Sequence, residues 1–494
     1  MKLFTHGTSV LLDDIPLLAF ERFAEEARGA IAEGASVLSF FALQDDIAQL
    51  YLFLGFPERG TIGGLRAQVD RSYPSLTPAL PQAQLFEREI FENTGIVPEG
   101  HPWLKPVRAI MDYDFYALDG GQTHEVAVGP VHAGVIEPGH FRFQCYGEDV
   151  EHLEIALGYQ HRGVERAILA WPEKKRIHLV ETAAGDTTVG HAIAYSSALE
   201  TLSEIAPDAR AEIIRGIALE LERMANHIGD LGALAGDVGY LPTKSFCGRL
   251  RGDVLNLSAE LCGNRFGRGI VRVGGVGIDL DAKLAAMLAE RLTSVLRDTD
   301  EAVALLWDSP SVLARFERTG ALTRETALEL GLVGPSARAC GIERDVRADY
   351  PSGAYRFSTI PVSVSNEGDV YARALVRMLE YRRSGETVLE WLHNLPTAGA
   401  VHSLGVTEEN GARMETGVPR LQPNSVAVSL VEGWRGQVCH CAITDARGGL
   451  RHYKIVDPSF HNWPGLAYAL RGQQISDFPL CNKSFNLSYC GFDL

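Results

Sequence analysis

The sequence feature that most constrains the fold is a long stretch of apolar residues at three- and four-residue spacing. It runs through HAIAYSSALETLSEI and, after Pro207 and Asp208, through ARAEIIRGIALELERMANHIGDLGALAG. This spacing is typical of helices that bury one face, and Asp208 is a suitable N-cap for the second of them. Similar patterns begin near Asp281 and Asp369. The sequence therefore predicts long helices that pack as a bundle.

Strand-like segments flank these helices on both sides. Residues 1–110 combine the helical stripe IPLLAFERFAEEARGAI with the strand-like ASVLSFFAL and AQLYLFLGF, which predicts an α/β domain. Residues 111–124 contain a Gly-Gly pair and several acids, as linkers do. Residues 125–494 show strand-like alternation at both ends. We expect an α+β protein, with the N-terminal α/β domain followed by a central helical bundle and small antiparallel sheets.

Charge and hydropathy limit the classes of partner. The 494 residues include 46 Lys+Arg and 63 Asp+Glu, and the formal net charge of −17 argues against nucleic acid. The most apolar stretch, around residues 37–56, is interrupted by Gln44 and two aspartates, so we expect no membrane span. The N-terminus lacks the pattern of a secretory signal, which predicts a cytoplasmic protein. Attachment to a membrane through partner subunits stays open.

The eight cysteines contain no C-x-x-C pair and do not predict a disulfide framework. Cys439 and Cys441 flank His440 at a spacing that suggests metal ligands, but residues i and i+2 of a strand also share one face. We interpret both as buried, reduced cysteines on a strand.

Two clusters of polar residues are candidates for proton chemistry. GPVHAGVIEPGH contains His132 and Glu137 among glycines and prolines, where they are either proton carriers or turn-stabilising residues. ETAAGDTTVGH places Asp186 and His191 at a predicted helix start, where Asp186 or Thr187 would also serve as a cap.

A third polar cluster lies near the C-terminus, in IVDPSFHNWPGLAYAL. Two prolines predict a stiffened loop there. The loop would carry four polar side chains, namely Asp457, Ser459, His461 and Asn462.

Taken in order along the chain, these motifs resemble a known family. GPVHAGVIEPGHFRF, GEDVEHLEIALGYQHRGVER, HAIAYSSALE, VEGWRGQ and DPSFHNWPGL are similar to the large subunit of membrane-bound group 4 nickel–iron hydrogenases and to the quinone-site 49 kDa subunit of respiratory complex I. The earlier segment SLTPALPQAQLFEREIFENTGIVPEGHPWLKPVR resembles the complex I 30 kDa subunit. That subunit is fused ahead of the large subunit in formate hydrogenlyase and hydrogenase-4 proteins.

The resemblance also shows where this chain departs from active hydrogenases. Four cysteine thiolates hold the metals in that family, because nickel and iron favour soft sulfur ligands there. The matching positions in this chain are Ala184, Thr187, Ser459 and Asn462. The chain is therefore expected to bind no nickel–iron centre, and an active hydrogenase is disfavoured.

The resemblance implies several site residues. Glu137 matches the carboxylate that conducts protons beside the hydrogenase metals, and with His132, His191 and Asp186 it forms a candidate proton relay or acceptor site. His132 aligns with the histidine that meets the quinone headgroup in complex I, but the position of its tyrosine partner falls near Glu173. The candidate quinone contacts are His132, Trp171 and Arg435.

The resemblance further implies a peripheral-arm subunit of a membrane-bound oxidoreductase complex. The chain itself would bind no cofactor, a 4Fe–4S cluster would belong to a small iron–sulfur subunit, and a quinone acceptor stays open. Other expected partners are a ferredoxin-like subunit, antiporter-like membrane subunits and, by analogy alone, a formate dehydrogenase module on the cytoplasmic side of the inner membrane. Two roles stay open: electron transfer coupled to ion translocation, or a catalytically inert scaffold.

Overall fold

An α/β unit precedes a helical bundle that carries small sheets, so the predicted α+β architecture is confirmed. The computed structural model describes residues 1–44, 47–109, 113–131, 137–396, 407–409, 412–414 and 420–494. The division at residues 111–124 stays a prediction, although a strand already begins at Thr123.

The N-terminal unit is a sheet with two helices. Its elements are β1 (Lys2–Thr5), β2 (Val10–Leu11), β3 (Leu17–Leu18), α1 (Phe20–Ala32), β4 (Ser36–Gln44), β5 (Ala48–Phe56), β6 (Thr61–Val69), β7 (Ser72–Pro74), α2 (Gln84–Thr94) and β8 (Val97–Glu99). The strand order is β1–β6–β5–β4, all antiparallel, with β3 parallel to β6. Consecutive residues of β4 and β5 are buried, so both faces of the sheet are covered along these strands.

A three-stranded antiparallel sheet and the helical bundle follow. The strands are β9 (Thr123–Val128), β10 (His140–Tyr146) and β11 (Asp149–Ala156). The next elements are α3 (Val164–Ala170), α4 (Glu173–Val180), α5 (Thr188–Ser203), α6 (Ala209–Asp237), α7 (Leu241–Cys262), β12 (Val271–Arg272), β13 (Gly275–Val276), α8 (Ala282–Trp307), α9 (Pro310–Phe316), α10 (Arg324–Leu330), α11 (Gly334–Arg338), α12 (Val346–Asp349) and α13 (Val370–His393).

Helix α6 is the centre of the bundle, and α7 and α13 pack along it. Its 29 residues span roughly 44 Å. Two glycines allow this close packing: a Cβ at Gly216 would lie 2.6 Å from the ring of Trp391, and one at Gly232 would lie 2.8 Å from the Cβ of Cys247. The predicted start of α6 is confirmed, because the Asp208 side chain accepts the Ala211 N–H at 2.8 Å.

The C-terminal part returns to strands and short helices. Its elements are β14 (Thr407–Glu409), β15 (Ala412–Met414), β16 (Ser425–Gly433), β17 (Gly436–Thr444), β18 (Leu450–Val456), α14 (Pro458–Ala469), α15 (Phe478–Phe485) and α16 (Tyr489–Asp493). The sheet order is β18–β17–β16–β2, so a strand from the N-terminal unit completes the C-terminal sheet. Helix α5 packs against β16 and β17.

The third polar cluster is helical, so the predicted loop is wrong. Asp457 caps the helix through the Ser459 N–H at 2.8 Å, and Pro458 occupies the first turn, where no donor is needed. Pro464 lies inside α14, where it has no backbone N–H to donate, so the helix lacks one hydrogen bond at this position. Among the described residues, no helix combines the length and the apolar character needed to cross a membrane.

Candidate functional site

The first turn of α5 is capped from another helix. The Glu222 carboxylate of α6 accepts the N–H groups of Val189 at 2.7 Å and Gly190 at 3.1 Å. Thr187 precedes the helix, but its side chain makes no capping hydrogen bond. The local cap expected at residues 186–188 is therefore wrong, because Glu222 satisfies these donors. Burial raises the pKa of Glu222 to about 8 in spite of the two hydrogen bonds.

Asp186 forms a bidentate ion pair with Arg435. Arg435 Nη1 lies 2.6 Å from Asp186 Oδ1 and Nη2 lies 2.8 Å from Oδ2. The Nε of Arg435 donates to the Asn486 carbonyl at 2.5 Å, and its guanidinium lies 3.9 Å from the centroid of the Trp434 ring. Burial alone would lower the pKa of Arg435, but Asp186 raises it above its ordinary value. The two candidates thus hold each other in place, and their shared geometry fixes the loop before α5.

His191 belongs to a buried series of hydrogen bonds. His191 Nε2 lies 3.1 Å from Asp457 Oδ2, and His191 Nδ1 lies 3.0 Å from His440 Nε2. His440 Nδ1 lies 2.7 Å from the Tyr453 hydroxyl. None of these four side chains is more than 1% exposed. Burial holds the pKa of His440 well below its ordinary value, so that its imidazole is neutral.

The register of the C-terminal sheet explains why His440 and Tyr453 meet. His440 pairs with Ile455, and Tyr453 lies two residues from Ile455, on the same face of β18. Cys439 and Cys441 lie on the other face, and both are free and buried. Their interpretation as buried, reduced strand residues is confirmed.

Glu137 is exposed. Burial raises the pKa of the Cys490 thiol, and the charges of Glu137 and Asp186 raise it further. Glu137 is thus an accessible carboxylate whose charge acts on Cys490.

The remaining quinone candidates are His132 and Trp171. His132 lies outside the described residues. Trp171 ends α3 and is 43% exposed. Within the part of the chain that the structure describes, no hydrogen bond, ion pair or ring contact connects Trp171 with Arg435.

Comparison with known protein families finds two that match parts of this chain. Residues 237–493 match the family described as the respiratory-chain NADH dehydrogenase 49 Kd subunit. The chain belongs to this 49 Kd subunit family. Residues 26–123 match the 30 Kd subunit of the same enzyme, so the predicted resemblance to both subunits, in this order, is confirmed.

Relatives of this 49 Kd family member come from hydrogenases and from NADH-quinone oxidoreductases. Formate hydrogenlyase subunit 5 of Escherichia coli is 30% identical over 460 residues, which cover 86% of this chain and 78% of that protein. Hydrogenase-4 component G of the same organism is 28% identical, covering 86% and 77%. NADH-quinone oxidoreductase subunit 4 of Thermus thermophilus is 30% identical over 364 residues, covering 71% and 89%.

In this 49 Kd family member, the four positions of the hydrogenase thiolates do not suit a nickel–iron centre. Ala184 offers no donor atom, and the Thr187 Oγ1 is buried without a hydrogen-bond partner. Ser459 Oγ accepts the Ser488 N–H at 2.8 Å. The Asn462 amide is also engaged, and its partners are the N–H of Val333 at 2.9 Å and the carbonyl of Val333 at 3.1 Å. Hard or engaged groups therefore stand where soft ligands would be required.

A second buried polar group of this 49 Kd family member surrounds Arg338. Its Nε lies 2.8 Å from Glu380 Oε1, and its Nη1 lies 2.8 Å from Glu432 Oε1. Asp345 pairs with Arg347 at 2.7 Å. Sequence reasoning missed Glu380 and Glu432, as it missed Glu222 and Tyr453. Glu432 lies within the motif VEGWRGQ, and each of the four becomes a site residue only through its tertiary contacts.

Proposed function

We propose that this chain is the peripheral-arm subunit of a membrane-bound oxidoreductase complex of the complex I or hydrogenase-4 type. It accepts electrons from a neighbouring iron–sulfur subunit and couples their transfer to ion translocation, without a nickel–iron centre of its own. One observation carries the proposal. The His191–Asp457 pair and its hydrogen-bonded neighbours persist beside four positions that offer no thiolate.

The residues favour an acceptor that takes up protons together with electrons. Reduction of a quinone to a quinol consumes two electrons and two protons, so the protein has to supply proton carriers. Glu137 is an accessible carboxylate, and His191 belongs to a buried polar series. Asp186 acts as a positioning residue, because its carboxylate is engaged by Arg435. The quinone-like acceptor, with contacts from His132, Trp171 and Arg435, is part of this proposal.

The relatives support the proposed partners. A membrane-bound hydrogenase subunit alpha and NADH-quinone oxidoreductase subunits are among the proteins similar to this chain. We propose a small subunit with a 4Fe–4S cluster, a ferredoxin-like subunit and antiporter-like membrane subunits, at the cytoplasmic side of the inner membrane. A formate dehydrogenase module is the proposed electron donor.

The first test is the composition and activity of the complex. The tagged full-length chain is purified in mild detergent, its partners are identified by mass spectrometry, and the reduced complex is offered decyl-ubiquinone. We expect iron–sulfur and antiporter-like subunits, quinol formation and no hydrogen evolution with reduced methyl viologen. A chain that purifies alone, or a complete complex that reduces no quinone, would contradict the proposal.

A scaffold role is the second candidate, and one observation favours it. Asn462 and Ser459 are tied to the backbone of neighbouring segments, so the former ligand positions now stabilise the fold. The variants Glu137→Gln and His132→Ala separate the two roles. Unchanged activity of the complete complex supports the scaffold, whereas loss of activity with unchanged thermal stability supports the acceptor site.

A further inference from the structure

We propose that Tyr453, His440, His191 and Asp457 form a proton relay. It connects a cavity beside the N-terminal sheet with the region that corresponds to the hydrogenase metal site. The inference rests on the proposed function, because a relay needs an acceptor that consumes protons. It adds two residues, His440 and Tyr453, that neither the family match nor the motifs assign to the site.

The hydrogen bonds of the relay are compatible with one direction, from Tyr453 to Asp457. The pKa of Asp457 is raised by burial, but the hydrogen bond from His191 and the charge of Arg435 bring it below its ordinary value. The ionised carboxylate only accepts, so His191 Nε2 donates to it. In the proposed relay, His191 Nδ1 accepts from His440 Nε2, and His440 Nδ1 accepts from the Tyr453 hydroxyl. In this arrangement each imidazole carries one proton, on Nε2.

One end of the relay reaches a cavity. Tyr453 lines a space of about 280 Å³ between β4, α2, α3 and β18. Lys454 and Glu165 line the same space, and Lys454 Nζ lies 2.9 Å from Glu165 Oε1. A polar cavity of this size holds several water molecules, since a water occupies about 30 Å³. In the proposed relay, water in this cavity returns a proton to the Tyr453 hydroxyl.

The other end lies at the start of α14. Asp457 Oδ1 accepts the Ser459 N–H at 2.8 Å, while Oδ2 faces His191. A Cβ on Gly491 would lie 2.7 Å from the Asp457 Cγ, so the C-terminal helix covers this carboxylate closely. Asp457 is therefore held in one position, and its charge is directed at the relay.

Proton transfer along the relay balances at each atom. The Tyr453 proton moves to His440 Nδ1, the His440 Nε2 proton moves to His191 Nδ1, and the His191 Nε2 proton moves to Asp457 Oδ2. A proton from the cavity restores the Tyr453 hydroxyl. One proton has entered, one has reached Asp457, and both neutral imidazoles have changed from the Nε2–H to the Nδ1–H tautomer.

The resting tautomers are the first test, and they need neither partner nor substrate. Nitrogen-15 NMR of the full chain, labelled at histidine, reports which ring nitrogen carries the proton. We expect Nε2–H for both His191 and His440, and a coupling across the hydrogen bond between their rings. A proton on Nδ1 of either ring at rest, or no coupling between the rings, would overturn the relay.

Turnover of the complete complex is the second test, with decyl-ubiquinone as acceptor. Tyr453→Phe removes only the hydroxyl, and we expect the rate to fall about a hundredfold and the solvent isotope effect to change. Tyr195→Phe is the matched control, because the Tyr195 ring packs 5.8 Å from the Tyr453 ring without belonging to the relay. Equal rates for the two variants would overturn the relay and leave the proposed function intact. A wild-type complex that reduces no quinone would instead refute the proposed function.

Discussion

The two buried polar regions within residues 125–494 differ in how their groups are paired. Around Arg338, each charge has several partners, as when Arg347 contacts both Asp345 and Glu220. Around His191, the side chains form a linear series of hydrogen bonds from the Tyr453 hydroxyl to the Asp457 carboxylate. An ion with several partners is fixed in place. A single series of neutral donors and acceptors can change the position of its protons without moving heavy atoms.

This difference indicates that the buried polar groups around Arg338 stabilise the fold, whereas those around His191 are suited to proton transfer. The Arg338 region holds α11, α13 and β16 together, since its partners come from each of them. The His191 region joins α5, β17, β18 and the start of α14. We therefore expect substitutions in the first region to act on stability, and those in the second to act on proton transfer.

The largest effect is expected for Arg338→Met. It leaves Glu380 and Glu432 without their common cation, and loss of one partner of a buried ion pair typically costs about 3–5 kcal/mol. Denaturant unfolding of the full chain measures this loss. Arg297→Met is the control, because Arg297 is 68% exposed and its replacement should leave the free energy of unfolding nearly unchanged. Equal stabilities for the two variants would contradict the comparison.

Glu222→Gln should change how stability depends on pH. The folded-state pKa of Glu222 is raised from 4.5 to about 8, so its stabilising contribution is complete below pH 4.5 and is lost as the pH rises to about 8. The wild type should lose roughly 2–4 kcal/mol more than Glu222→Gln over this range, since each pKa unit is worth about 1.4 kcal/mol. Thermal unfolding across the range measures the difference. Parallel curves would mean that the Glu222 carboxyl is ionised in the folded chain.

Much of the fold could be predicted because its signals are local. Asp208, Asp281 and Asp369 each precede an apolar helical pattern, and each caps its helix in the structure. The loop predicted around Asp457 was wrong for an equally local reason. Two prolines suggested a break, but Pro458 fits the first turn of a helix and Pro464 is tolerated inside it.

For the site, the sequence predicted individual candidate residues but not the contacts between them. Asp186 and His191 were identified, but their partners Arg435 and Asp457 lie 249 and 266 residues further along the chain. The position of Tyr453 beside His440 depends on the register of β17 and β18, which no local pattern specifies. Spacing along the chain thus indicated which residues matter, and tertiary packing determined what each one contacts.

A smaller effect is expected for Asn462→Leu, which tests whether a former ligand position now belongs to the structure. The substitution keeps the branched shape of the side chain but leaves the N–H and the carbonyl of Val333 without partners. An unsatisfied buried polar group costs about 1–3 kcal/mol, so unfolding should become easier by that order. Chemical denaturation measures the loss. A variant as stable as the wild type would show that the amide has no structural role.

Thr187→Val should have the smallest effect, and it refines the comparison within the His191 region itself. The Thr187 Oγ1 is buried without a partner, whereas Ser459 Oγ accepts a backbone N–H at 2.8 Å. An unpaired buried hydroxyl carries a desolvation cost, which the substitution removes. Thr187→Val should therefore be as stable as the wild type or more stable by up to about 1 kcal/mol. Ser459→Ala is the matched variant and should be less stable by about 1 kcal/mol. Thermal unfolding of both compares the two positions directly. If Thr187→Val is the less stable variant, then its hydroxyl has a partner in solution, and this former ligand position is engaged as Ser459 is.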